Sequence, residues 1–76
     1  MVEIDIHGYT EYDAIKILEK FIVSCDSSTK QILVIHGYRG GSVLKDMVRN
    51  SNKLRSKRIK RRKQTMNQGE TILELY

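Results

Sequence analysis

The stretch Ile32-Leu33-Val34-Ile35-His36-Gly37 decides the architecture of this chain. Four consecutive aliphatic residues, three of them β-branched and closed off by a glycine, read as a central strand buried on both faces. Upstream, Val2, Ile4 and Ile6 alternate with Glu3, Asp5 and His7 as far as Gly8, the period of a strand with one buried face. Between the two strands, Thr10 with Asp13 three residues on resembles a capping box. Ala14, Ile15, Leu18, Phe21 and Ile22 then recur at helical spacing, which predicts an amphipathic helix over residues 11–24. Strand, helix, strand in this order makes a right-handed crossover and a parallel pair.

Downstream, Tyr38-Arg39-Gly40-Gly41 forms a loop, and Val43, Leu44, Met47 and Val48 mark a second helix, with an extension to Leu54. From Lys57 to Met66 only Ile59 and Met66 are strongly apolar, so a strand here is polar and outlying. Asn67-Gln68-Gly69 supplies turn residues, and Thr71 to Tyr76 reads as a final strand. The expected fold class is α/β: βαβαββ, a two-layer sandwich with a mixed four-stranded sheet and both helices on one face.

With 76 residues, the chain is read as one domain, 1–76, able to bury only about 60% of the surface its unfolded form exposes. A two-domain enzyme, a large cofactor fold and a long repeat array are excluded. Cys25 is the single cysteine, so neither an intrachain disulfide nor a multi-cysteine zinc site can form. One cysteine fits a reducing compartment, and the apolar runs are too short to span a bilayer. The start of the chain lacks the features of a signal peptide. The expectation is a cytoplasmic protein, monomeric, without a membrane partner.

The net charge of +5 hides a division. Residues 1–26 hold six acids and two bases, whereas residues 27–76 hold twelve bases and three acids. Lys53, Arg55, Lys57, Arg58, Lys60, Arg61, Arg62 and Lys63 follow one another without an intervening acid. A field this lopsided favours a polyanion, and a basic stripe is the usual footprint of nucleic-acid binding. A solvated basic edge is the plainer reading of the same residues.

Ile6-His7-Gly8-Tyr9 recurs as Ile35-His36-Gly37-Tyr38, each copy at a strand end before a helix. Two parallel strands ending in His-Gly bring both imidazoles to the C-terminal edge of the sheet, where open α/β sheets bind ligands. Asp5, His7 and His36 are the catalytic candidates. A carboxylate beside an imidazole fixes its tautomer, and histidine is the usual general acid or base near neutral pH. With RNA the nucleophile can be the substrate's own 2′-OH, so no cofactor is required. The three side chains could instead hold a divalent metal ion. Both histidines equally suit a structural role, bonded to backbone at the strand ends. The loop Gly37-Tyr38-Arg39-Gly40-Gly41 offers backbone N–H groups and a bidentate arginine to a phosphate. Tyr9 and Tyr38 could stack on unpaired bases or cover the sheet edge.

These residues resemble the small MutS-related (Smr) domain, a nucleic-acid-acting module found at the C-terminus of some MutS-type proteins and also alone. The hallmarks are Asp5-Ile6-His7-Gly8 for the Asp-x-His-Gly segment and His36-Gly37-Tyr38-Arg39-Gly40-Gly41 for the His-Gly-x-Gly-x-Gly-type loop. Val43-Leu44-Lys45 stands at the helix start, and Gly69-Glu70-Thr71 on the closing strand. Arg39 occupies the position of the loop's middle glycine, which adds a phosphate donor. The resemblance covers essentially the whole chain. It implies a sandwich similar to the C-terminal domain of translation initiation factor three, in a stand-alone form.

The resemblance further implies nicking or cleavage of DNA or RNA, with Asp5 and His7 linked to catalysis and His36, Gly37, Gly40 and Gly41 forming the binding loop. The full expectation is an endonuclease with RNA slightly preferred. Tyr38, Arg39, Lys45, Arg49, Arg55, Arg58, Lys60, Arg61, Arg62 and Lys63 would then contact nucleic acid. The alternative is a non-catalytic nucleic-acid or ribosome binding module.

Overall fold

A computed structural model describes residues 1–76. The elements run β1 (Val2–Asp5), α1 (Glu11–Ser24), β2 (Gln31–Ile35), α2 (Val43–Val48), β3 (Ile59–Gln64) and β4 (Glu70–Leu75). They build one four-stranded sheet in the order β1-β2-β4-β3. β1 and β2 are parallel, as the intervening helix requires, and β4 runs antiparallel to both of its neighbours. The hairpin therefore returns its apolar strand to the centre and leaves β3, rich in Lys and Arg, on the rim. Charged rims of this kind discourage edge-to-edge pairing.

One cluster of eleven buried residues holds the layers together. It joins Ala14, Leu18 and Ile22 of α1 and Met47 and Val48 of α2 to Ile32, Val34, Leu73 and Leu75 of the sheet, with Ile6 and Leu54. Both helices thus pack on the same face. Removing such side chains from water is worth about 1.5–3 kcal/mol each. The Thr10 hydroxyl accepts the N–H of Asp13 at 3.2 Å and so starts α1.

Two expectations change. β2 is buried on one face only: Ile32 and Val34 are fully buried, whereas Leu33 and Ile35 are half-exposed. The sandwich has two layers, and nothing covers the outer face of its sheet. The second helix also stops at Val48 rather than reaching Leu54. The Asn50 carboxamide accepts the N–H of Asn52 at 2.8 Å, a local turn that competes with helical hydrogen bonding. Leu54 still enters the core, carried there by turns rather than by helix.

Candidate functional site

Parallel pairing of β1 with β2 brings both His-Gly units to one edge of the sheet. Asp5 stands opposite Ile35, and the N–H of Ile6 donates to the Ile35 carbonyl at 2.8 Å. The chain then turns through Gly8 at φ +84° and through Gly37 at φ +73°, a left-handed conformation that costs any residue with a Cβ.

The two histidines nevertheless part company. The sequence echo repeats at an offset of 29 residues, whereas the strand register pairs residues 30 apart. A slip of one residue places a side chain on the opposite face. His7 therefore continues the exposed series Glu3 and Asp5, and His36 continues the buried series Ile32 and Val34.

His7 is held by Asp5. Asp5 Oδ1 accepts both the backbone N–H of His7 at 3.0 Å and its ring Nδ1–H at 2.6 Å. A carboxylate oxygen can only accept, so Nδ1 carries the proton and Nε2 is the free ring nitrogen. These bonds, the backbone one foremost, hold the Asp5 carboxyl below its usual range. Asp5 stays charged and the imidazole stays oriented. A Cβ added to Gly37 would lie 3.7 Å from the His7 Cβ, so the pair stands against the second loop.

His36 is only 4% exposed, and both of its ring nitrogens are engaged. Nδ1 lies 2.8 Å from the Gly37 carbonyl, which fixes the proton there, and Nε2 lies 2.8 Å from the Thr71 hydroxyl. Thr71 donates to Nε2 and in turn accepts the Arg49 Nε–H at 2.9 Å, while Arg49 Nη2 donates to the Glu70 carbonyl at 3.2 Å. Burial lowers the His36 pKa against the pull of the Gly37 carbonyl, and Arg49 and Lys45 push it further down. The chain Arg49–Thr71–His36–Gly37 is thus self-consistent with a neutral imidazole. This geometry departs from the expectation of His36 as a proton-transfer group. It also departs from a three-ligand metal site, since no group of three or more His, Cys, Asp or Glu side chains converges.

The hairpin turn supports the same loop. The Gly69 carbonyl accepts the N–H groups of His36 and Gly37 at 2.9 and 3.0 Å. The position of Thr71 carried a signal of its own, because Thr71, Leu73 and Leu75 form one buried alternation. A hydroxyl in an apolar row requires a partner.

The loops after β1 and β2 enclose a groove of about 710 Å³. His7, Tyr9, Tyr38, Arg39 and Gly41 lie along it, with Asn67 and Glu70 of the hairpin beside them. Tyr9 is 50% and Tyr38 46% exposed. α2 is short and carries Asp46 in its first turn. In the loop before it, the N–H groups of Gly37 and Gly41 already donate to the Gly69 and Tyr38 carbonyls, while the Arg39 side chain is exposed.

The basic stripe is only partly a surface. Arg58 donates to the carbonyls of Ile22, Cys25, Asp26 and Thr29. It thereby closes the C-terminus of α1, whose last turn has no basic residue of its own. Arg62 donates to the Val48 and Leu54 carbonyls at 2.8 and 2.6 Å and holds the end of α2. With Arg49 on Thr71, three of the arginines expected on phosphate are turned inward. Arg61 and Lys63 flank Glu74 at 3.2 and 3.3 Å, and Lys53 meets Glu11 at 3.2 Å. Arg39, Arg55, Lys57 and Lys60 remain exposed, and Lys45 is half-buried.

No helix is long and apolar enough to cross a membrane. No curated protein matches the sequence. Among solved structures, the chain is similar to the crystal structure of the Smr domain of Thermus thermophilus MutS2, with a TM-score of 0.85 at 20% identity, over 100% of this chain and 99% of that one. This likeness concerns the fold. The family model described as Smr domain matches residues 4–73, which takes in the Asp5–His7 pair, the glycine loop and Thr71, and the chain therefore belongs to the Smr domain family.

Proposed function

We propose that this Smr domain binds nucleic acid in the groove between its two His-Gly loops and cleaves it as an endonuclease. The observation that carries the reading is the Asp5–His7 pair, in which a carboxylate fixes Nδ1–H and leaves Nε2 free beside the groove. On RNA, Nε2 takes the proton of the 2′-OH. The 2′-oxygen forms its bond to phosphorus, the bond to the 5′-oxygen breaks, and that oxygen receives the proton back from the imidazolium. On DNA the same nitrogen serves an attacking water. Arg39 neutralises the phosphate, and the N–H groups of Tyr38, Arg39 and Gly40, which the fold does not engage, donate to its oxygens. His36 holds the loop rather than moving a proton.

The test is cleavage of an RNA and DNA panel by wild type, Asp5→Ala and His7→Ala. Removing the acid–base group lowers the rate by about 10²–10⁴-fold, and equal residual cutting by all three proteins overturns the assignment. A second reading, a binding module without cleavage, draws on the same geometry, because the second imidazole is committed to Thr71 and Gly37. Under that reading the Asp5 and His7 variants bind as wild type does and no protein in the set cuts.

A further inference from the structure

We infer that the groove accepts an unpaired nucleotide, with its base stacked on Tyr9 and Tyr38, so that the domain engages single-stranded segments in preference to duplex. The inference rests on the nucleic-acid reading above and names its substrate class. Its ground is the disposition of the tyrosines. Each follows a His-Gly turn, both border the same groove, and about half of each remains open to solvent. The structure leaves these two large aromatic surfaces uncovered beside the free His7. Aromatic rings at this exposure are the usual platforms for bases, because every base has a π-face. Tyr38 lies close to the hairpin turn, since a Cβ on Gly69 would lie 3.5 Å from its Cδ1.

Size points the same way. About 710 Å³ falls within the usual range of small-ligand pockets, roughly 300–1,000 Å³, and suits one or two nucleotides. A base within a duplex is stacked on its neighbours and cannot reach a side-chain ring unless it is extruded, which costs unpairing and unstacking. Arg39, exposed in the loop, is left to hold the phosphate beside the stacked base. The reacting linkage then lies next to the nucleotide that the tyrosines hold.

Fluorescence anisotropy with a labelled single strand, the same strand carrying one abasic position, and its blunt duplex tests the proposal. The full-length chain is used as wild type, Tyr9→Leu, Tyr38→Leu and the double variant, with circular dichroism as a check on folding. The expected result is single-strand binding at least tenfold tighter than duplex, and a loss of roughly tenfold for each tyrosine removed. Wild type also binds the abasic strand more weakly, a comparison that needs no variant. If the variants and the abasic strand bind as tightly as their controls, the stacking site is wrong while nucleic-acid binding itself stands. If wild type binds neither strand form at low salt, both this inference and the reading beneath it fall.

Discussion

Thr71 is the residue whose removal most cleanly separates the buried network from the rest of the fold. Thr71→Val keeps the shape of the side chain and deletes one hydroxyl. That hydroxyl donates to His36 Nε2 at 2.8 Å and accepts from Arg49 Nε at 2.9 Å, and Thr71 is fully buried. A neutral hydrogen bond contributes about 0.5–1.5 kcal/mol net, and one to a charged group about 1.5–3 kcal/mol. Arg49 retains the Glu70 carbonyl and is half-exposed, so part of its loss is recovered from water. The expected destabilisation is about 2–3 kcal/mol. For a chain of 76 residues the total stability is on the order of 4–11 kcal/mol, so the effect is large. Urea unfolding reads it as a lower midpoint at unchanged slope. Thr71→Ser, which keeps the hydroxyl and loses a methyl, costs about 1 kcal/mol. A Thr71→Val unfolding free energy within about 0.5 kcal/mol of wild type refutes the network.

Other outcomes follow from the same contacts. Burial holds His36 below the usual imidazole value, so the folded state binds this proton less readily than the unfolded chain. Its contribution is complete above about pH 6.5 and is lost as pH falls from there toward the folded value, by up to about 1.4 kcal/mol per pH unit. Asp5, lowered as well, keeps its contribution until pH falls below about 4. Urea midpoints between about pH 7.5 and 4.5 therefore decline in wild type and decline less in His36→Gln. Arg58→Ala removes a donor to four carbonyls and costs about 2–4 kcal/mol, and Arg58→Lys recovers only part of it. Arg39→Ala, exposed beside the groove, leaves stability within about 0.5 kcal/mol and lowers the salt slope of nucleic-acid binding by about one.

Much of the fold was legible because period and punctuation agreed. The alternation of Val2, Ile4 and Ile6, the helical spacing from Ala14 to Ile22 and the polar hairpin each led to the element found. The end of α2 was less legible, since Val43 to Leu54 keeps an apolar rhythm while the side chain of Asn50 breaks the backbone pattern. Which face of β2 meets solvent depends on layers that the run Ile32 to Ile35 does not encode. The site was legible as a constellation but not as a geometry. A motif echo sets residue types, whereas strand register sets faces, and the mismatch between an offset of 29 and one of 30 separates His7 from His36. The arginines misled for a related reason. Arg58 and Arg62 sit in a run that reads as surface charge, yet a guanidinium bonds several carbonyls at once, and the open ends of α1 and α2 lie within their reach.

In the proposed mechanism His7 moves protons and His36 holds the loop. Chemical rescue separates the two roles: cleavage by His7→Ala and by His36→Ala is followed with and without added imidazole, with folding monitored in the same samples. The expected result is that His7→Ala loses cleavage by about 10²–10⁴-fold and regains part of it with imidazole. His36→Ala loses stability, and imidazole does not restore its cleavage. Rescue of His36→Ala without rescue of His7→Ala would contradict the assignment.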